Sequence, residues 1–131
     1  MICRDSLNDD FRFYIKQRGG LLAKGRVLGI QFLELFKDDL FFDLAKHANA
    51  MAGLLRNEIK RAGYKFLTHS TSNQIFPILP NALIAKLQEK FSFYVWAKID
   101  ADNSAIRIVT SWATKEDAVS AFIEEINSGI R

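Results

Sequence analysis

The stretch Ser104-Ala-Ile-Arg-Ile-Val-Thr-Ser-Trp112 is rich in β-branched residues, which is typical of a β-strand. Alternation along such a strand puts Arg107 and Val109 on one face and Ile106 and Ile108 on the other. A guanidinium that leaves water must find an anion or carry a large desolvation cost. Arg107 therefore either points into water from the solvent-exposed face of a sheet or binds a carboxylate or phosphate. The planar guanidinium suits such anions better than the ammonium group of lysine does.

The residues before this strand predict its partners. Residues 92–99 form another apolar run, and the turn-forming segment 100–103 joins the two runs, which indicates an antiparallel pair. Two further apolar runs, residues 64–68 and 74–79, are separated by a polar loop and are predicted to be strands. Pro77 places the second of them near a sheet edge or a bulge, because proline donates no hydrogen bond to a neighbouring strand.

Apolar residues at three- and four-residue steps predict five helices. The strongest begins after Asp38 or Asp39, either of which can cap it, and ends at Gly63. The others are predicted to start at Ser6 or Asn8, at Leu21, at Asn81 and after Thr114. The element order ααα ββ α ββ α predicts an α+β fold, in which helices cover one face of a small antiparallel β-sheet.

Length and composition predict a globular chain with a real core. Of 131 residues, 49% are hydrophobic and 25% charged, with only seven glycines and two prolines. A chain of this length is expected to form a single domain, residues 1–131. Within it, residues 1–38 are predicted to be an N-terminal helical segment and residues 39–131 the α+β part.

Charge and cysteine usage restrict the partners and the compartment. The net charge is +3, but most basic residues lie beside acidic ones rather than in a block, which argues against a nucleic-acid-binding surface. Cys3 is the single cysteine, so an internal disulfide and a CxxC site are excluded. The first residues lack the apolar core of a signal peptide, and no apolar run is long enough to span a membrane. A soluble cytoplasmic protein is expected.

Few residues qualify as catalytic or metal-binding. The sequence contains no glycine-rich phosphate loop, no paired histidines at metal-ligand spacing and no serine in a nucleophile elbow. His47 and His69 are each better explained as structural residues than as catalytic ones. Tyr94 and Trp96 are predicted to be packing residues rather than a platform for a ligand. Arg107 remains the principal candidate.

Three segments carry a resemblance to a known family. They are Lys16-Gln-Arg-Gly-Gly-Leu-Leu-Ala-Lys-Gly-Arg26, Asn73-Gln-Ile-Phe-Pro-Ile-Leu-Pro80 and Ser104-Ala-Ile-Arg-Ile-Val-Thr-Ser-Trp-Ala-Thr114. Together they resemble the C-terminal small domain of low-specificity threonine aldolases, which are pyridoxal-phosphate-dependent lyases of the β-eliminating-lyase group. The resemblance runs from about Asp10 to about Ile126 and fades upstream. It implies the small domain of a fold-type I pyridoxal-phosphate enzyme, preceded by long helices.

The resemblance implies a specific role for Arg107. This residue matches the strand arginine that, in the family, binds the α-carboxylate of the substrate. Holding the carboxylate determines which bond at Cα stands perpendicular to the cofactor ring, so the Cα–Cβ bond of threonine is cleaved to glycine and acetaldehyde. The amino-acid substrate would thus supply the anion that Arg107 requires.

The resemblance also implies what this chain does not contain. The lysine that forms the Schiff base lies upstream of the matched region in the family, and no lysine here stands in its motif. No catalytic residue is therefore predicted here, and the chain alone is expected to be inactive and to hold no pyridoxal phosphate. Lys16, Arg18 and Lys24 are candidate contacts to the cofactor phosphate, because the Gly19-Gly20 region of the family approaches the cofactor near a subunit boundary. A homo-oligomer is expected.

A second hypothesis comes from a different functional class. The chain could be a truncated, non-catalytic module that keeps the fold and self-associates through apolar surface that the complete enzyme covers. Phe13, Phe42 and Trp112 are large apolar residues outside the clear helical stripes, which favours this alternative.

Overall fold

The structure is a computed structural model that describes residues 4–128. It contains two compact units, the first ending at Leu40 and the second beginning at Phe41. Cys3 lies outside the described residues. The single-domain organisation expected from length stays a prediction.

Among residues 4–39, the first unit contains two α-helices joined by a short connection, with short 3-10 helices at Asp5–Leu7 and Lys37–Asp39. The α-helices are α1 (Phe11–Gln17) and α2 (Gly25–Phe36). α1 begins at Phe11, which is later than a cap at Ser6 or Asn8 would place it. The residue before it, Asp10, has a left-handed backbone (φ 55°) and makes no side-chain cap. Gly19 follows α1 at φ 70°, a conformation that glycine adopts without strain. Neither helix contains a buried residue.

The second unit contains the sheet and the remaining helices. The helices are α3 (Leu40–Arg61), which begins one residue before the unit boundary, α4 (Asn81–Gln88) and α5 (Glu116–Ser128); the strands are β1 (Gln74–Ile75), β2 (Ile78–Pro80), β3 (Tyr94–Lys98) and β4 (Asn103–Val109). No helix within residues 4–128 is both long and apolar enough to cross a membrane.

Two of the predicted strands differ in the structure. The run 64–68 is not a strand and contributes only an isolated bridge between Phe66 and Pro77. The run 74–79 is divided into β1 and β2. The division falls at Pro77, which has no backbone N–H to donate and therefore interrupts the regular ladder.

The four strands form an antiparallel sheet organised around β4. β3 pairs with one edge of β4, and β1 and β2 follow one another along the other edge. Tyr94 lies opposite Arg107, and the register of β3 shifts between Val95 and Ala97, which makes a bulge at Trp96. The predicted α+β class, with a small antiparallel sheet covered by helices, is confirmed.

The hairpin between β3 and β4 is held by one carboxylate. Asp100 Oδ1 accepts hydrogen bonds of 2.8 Å from the backbone N–H groups of Asp102 and Asn103. The bond from the backbone of Asp102 is the main reason that the pKa of the Asp100 carboxyl lies below its usual range, and the side chain of Asn103 adds to it. This turn chemistry stabilises the register that sets Arg107 beside β3.

One face of the sheet forms the core with the helices. Ile106 and Ile108 of β4 are buried together with residues of α3, α4 and α5, among them Leu55, Ile59, Leu87, Phe122 and Ile126. Just beyond β4, the buried Thr110 hydroxyl donates a 2.6 Å hydrogen bond to the carbonyl oxygen of Ala48. The middle strand is thus tied to α3 at the end nearest the arginine.

Candidate functional site

Arg107 lies near the middle of β4, on the face of the sheet away from the core. Its neighbours Ile106 and Ile108 are 0% and 9% exposed, whereas Arg107 is half-buried and Val109 is exposed. β3 pairs along one edge of the strand, and β1 and β2 pair along the other. The backbone that carries the guanidinium is therefore held on both sides, as a rigid binding residue requires.

Two aromatic rings flank the guanidinium. Arg107 Cζ lies 5.1 Å from the ring centroid of Tyr94 and 5.2 Å from that of Trp96. Tyr94 is the cross-strand partner of Arg107, and Trp96 lies at the bulge in β3 and contacts the guanidinium as well. Phe76 in turn meets Trp96 edge to face, with centroids 5.4 Å apart. Cation–π attraction to both rings limits the orientations of the guanidinium.

One nitrogen of Arg107 is enclosed without a partner. Its Nε–H is buried and donates no hydrogen bond to an acceptor within residues 4–128, and no salt bridge to Arg107 forms within that range. Buried polar groups are almost always hydrogen-bonded, so an orphan of this kind calls for an explanation. The structure tests neither of the two sequence-based interpretations of Arg107, so both stay predictions. An anion from outside the described residues would satisfy the enclosed Nε–H.

A cleft of about 400 Å³ adjoins the arginine. It opens where β4 continues past the start of β3, and its lining includes Phe93, Tyr94, Arg107, Val109 and Phe122. Most of this lining is apolar. A charged group that enters such a cleft is shielded from water, which strengthens its attraction to a guanidinium.

The three candidate phosphate contacts lie in the first unit. Lys16 is in the last turn of α1, Arg18 follows that helix, and Lys24 precedes α2; all three are exposed. An added Cβ at Gly19 would meet no described heavy atom within 4 Å, so the space on that side of the backbone is open. The contact of these three side chains with a cofactor stays a prediction.

The two histidines have different surroundings. His47 is half-buried, and its Nε2 donates a 2.7 Å hydrogen bond to the Thr114 carbonyl oxygen, which gives it a structural link between α3 and the loop before α5. His69 is exposed and lines a separate cleft. Within residues 4–128, no three His, Cys, Asp or Glu side chains are grouped so that they could hold a metal ion.

The roles of Tyr94 and Trp96 were not anticipated from sequence. The sequence predicts that both are packing residues, yet both are exposed and lie against Arg107. Their two-residue spacing on a strand was a usable signal, because it places both rings on one face. Only the register of β3 against β4 shows that this face is the one that carries the arginine.

The comparison with solved structures finds a clear relative. The chain matches the threonine aldolase of Leishmania major with 42% sequence identity and a TM-score of 0.85. The match covers 92% of this chain and 35% of the Leishmania chain, so this chain spans about a third of the relative's length. No protein-family model and no curated protein matches the chain.

This match agrees with the resemblance carried by the three segments around Gly19, Pro77 and Arg107. An identity of 42% together with a TM-score of 0.85 shows common ancestry and a common fold over nearly the whole chain. The matched third is the C-terminal part of the Leishmania protein. The chain is therefore related to the threonine aldolases and corresponds to the C-terminal part of such an enzyme.

Proposed function

We propose that this chain supplies the substrate-binding arginine of a threonine aldolase active site whose other catalytic groups come from residues outside this chain. Arg107 binds the α-carboxylate of the amino acid. The observation that carries the proposal is the buried, unpartnered Nε of a guanidinium that is held between Tyr94 and Trp96 on the central strand. The similarity to the Leishmania enzyme supports it.

Carboxylate binding by Arg107 orients the substrate. A guanidinium grips a carboxylate through two parallel N–H to O bonds, which fix direction as well as position. The rings of Tyr94 and Trp96 hold the fork and keep water from one side of it, so little reorganisation is needed when the anion arrives. Fixing the carboxylate sets the direction of the Cα–Cβ bond, the bond that breaks when threonine becomes glycine and acetaldehyde.

Pyridoxal phosphate, which the family resemblance implies, supplies an electron sink when bound. Lys16, Arg18 and Lys24 are exposed and are the candidate contacts to its phosphate. The principal contribution of this chain is the binding and orientation of the amino acid.

A chimaera tests the proposal directly. This chain should replace the matched C-terminal part of the Leishmania major enzyme, and the product should cleave threonine, measured as acetaldehyde release. The isolated chain should show no turnover, because one binding residue without the reacting groups does not position them for catalysis. The Leishmania protein truncated before the matched region is the control. Turnover by the isolated chain, or a folded chimaera that does not cleave threonine, would contradict the proposal.

A non-catalytic, self-associating module is the second candidate. The observation that favours it is α2, a helix with no buried residue whose Val27, Leu28, Ile30, Phe32 and Leu33 are all exposed. Phe13, Phe42 and Trp112 are exposed as well. A helix that is apolar on most of its circumference is normally covered by other protein.

We expect the purified chain to form dimers or larger species, seen as an increase in mass with concentration in light scattering. Leu33→Glu should shift the population toward monomer, because a carboxylate in an apolar interface is costly to desolvate. Gln31→Glu adds the same charge to the same helix and is the matched control. A monomer at all concentrations would count against self-association.

A further inference from the structure

A second cleft, with a volume of about 660 Å³, lies in the second unit. It is formed by the C-terminal part of α3 and the segment that leads from α3 to β1. Its basic side chains are Arg56 and Lys60 from the helix and Lys65 and His69 from the segment. We refer to these four residues and the space between them as the basic cleft.

The basic cleft contains no opposing charge. Arg56, Lys60 and Lys65 bring three positive charges, and no Asp or Glu belongs to the lining. The nearest acidic residue along α3, Glu58, lies outside the lining and forms an ion pair with Arg61. Concave sites with one sign of charge attract ligands of the opposite sign.

Arg56 resembles Arg107 in one respect. Its Nε is also buried and has no hydrogen-bond partner among residues 4–128. The hydroxyl groups of Thr68 and Ser70 also belong to the lining. A buried N–H without a partner is destabilising, and an acceptor brought by a ligand removes that penalty.

We infer that the basic cleft is a binding site for a phosphorylated small molecule. A phosphate group presents several oxygens and up to two negative charges, which match cations that converge from two different elements. The volume exceeds that of a phosphate ion and lies within the usual range for small-molecule sites. Tyr64 and Phe66 in the lining provide aromatic surface for the organic part of the ligand. The basic cleft shares no lining residue with the cleft beside Arg107, so this inference does not rest on the aldolase proposal.

The test uses inorganic pyrophosphate as the probe, titrated into the ¹⁵N-labelled chain at constant ionic strength. Saturable shifts should appear in the Arg56 side-chain Nε–H signal and in the amides of residues 56–70. Lys60→Ala with Lys65→Ala should weaken binding at least 10-fold, because both substitutions remove charge-assisted contacts. Both lysines are exposed, so the fold should be retained, and unchanged amide signals from the core would verify this.

Lys86→Ala with Lys90→Ala is the matched control. It removes the same two charges from lysines that pair with Glu125 and lie outside the basic cleft, and it should change the affinity less than 2-fold. If the two double variants weakened pyrophosphate binding equally, the loss would come from the change in net charge alone. That result would overturn the proposal. Shifts that never saturate would do the same. A single-stranded oligonucleotide could bind more tightly than pyrophosphate, with an affinity that rises with its length. That result would overturn the proposal and indicate that the cleft binds nucleic acid.

Discussion

Arg107→Ala should lower kcat/KM for threonine by about 30- to 1,000-fold in the chimaera with the Leishmania enzyme. The substitution removes a charge-assisted, bidentate contact to the carboxylate worth roughly 2 to 4 kcal/mol. Arg107→Lys should recover only part of the loss, because an ammonium group does not reproduce the planar fork. Steady-state kinetics of the three proteins would measure the effect.

Arg61→Ala is a suitable control for this experiment. Arg61 is an exposed arginine that pairs with Glu58 on α3, so its removal deletes the same charge at a position outside the cleft beside Arg107. Its kcat/KM should stay within about 2-fold of the unmodified chimaera, as expected for an exposed charge. If Arg107→Ala kept the activity of this control, the carboxylate-binding role would be refuted.

Ile106→Ala should lower the free energy of unfolding of the chain by about 2 to 5 kcal/mol. Ile106 is fully buried in the core, and the truncation removes apolar contacts and leaves a cavity. Arg107→Ala, one residue along the same strand, should cost no more than about 1 kcal/mol, because its side chain lies on the other face. Urea unfolding followed by circular dichroism compares the two.

Val109→Ala is the matched control for the core substitution. Val109 is another aliphatic residue of β4, but it is 51% exposed on the outer face, so its truncation should cost about 1 kcal/mol or less. Equal losses for Ile106→Ala and Val109→Ala would mean that the sheet does not separate a buried from an exposed face. If Arg107→Ala lowered kcat/KM in the chimaera but left the free energy of unfolding of the chain nearly unchanged, Arg107 would serve function and not folding. Its neighbour Ile106 would then serve folding.

The local pattern of residues was sufficient for most helices and for the pairing of β3 with β4. α3 ends where Gly63 adopts a left-handed backbone (φ 86°), as the position of that glycine predicts. The alternation in β4 correctly separates the buried Ile106 and Ile108 from Arg107. These features depend on neighbours within a few residues, which a sequence displays directly.

The strands before α4 were less predictable. Residues 64–68 are as apolar as a strand, yet they form only an isolated bridge in which Phe66 lies opposite Pro77. Two backbone hydrogen bonds close this bridge, from Leu67 N–H to the Phe76 carbonyl oxygen and from Ile78 N–H to the Lys65 carbonyl oxygen. Strand formation requires a partner with free backbone groups, and the edge offered to residues 64–68 is interrupted by that proline. Propensity therefore overestimated the extent of the sheet at this edge.

The reason for an arginine in an apolar strand has two parts. The alternation of residues 104–109 places Arg107 opposite the core face, and the resemblance of the surrounding strings to threonine aldolases assigns it a carboxylate. Neither observation reveals that Tyr94 and Trp96 hold the guanidinium or that its Nε is enclosed without a partner. Those properties depend on the register of β3 on β4, which sets Tyr94 opposite Arg107.

The basic cleft was also not predictable from the sequence. Arg56, Lys60, Lys65 and His69 are spread over fourteen residues and two elements, with Glu58 and Arg61 among them, so the sequence reads as an ordinary mixture of charges. The helical turn of α3 and the path of the following segment bring the four together and leave Glu58 outside the lining. Periodicity along the chain identified the faces of single elements. The choice of which faces meet depends on contacts between distant residues, and only the folded chain decides it.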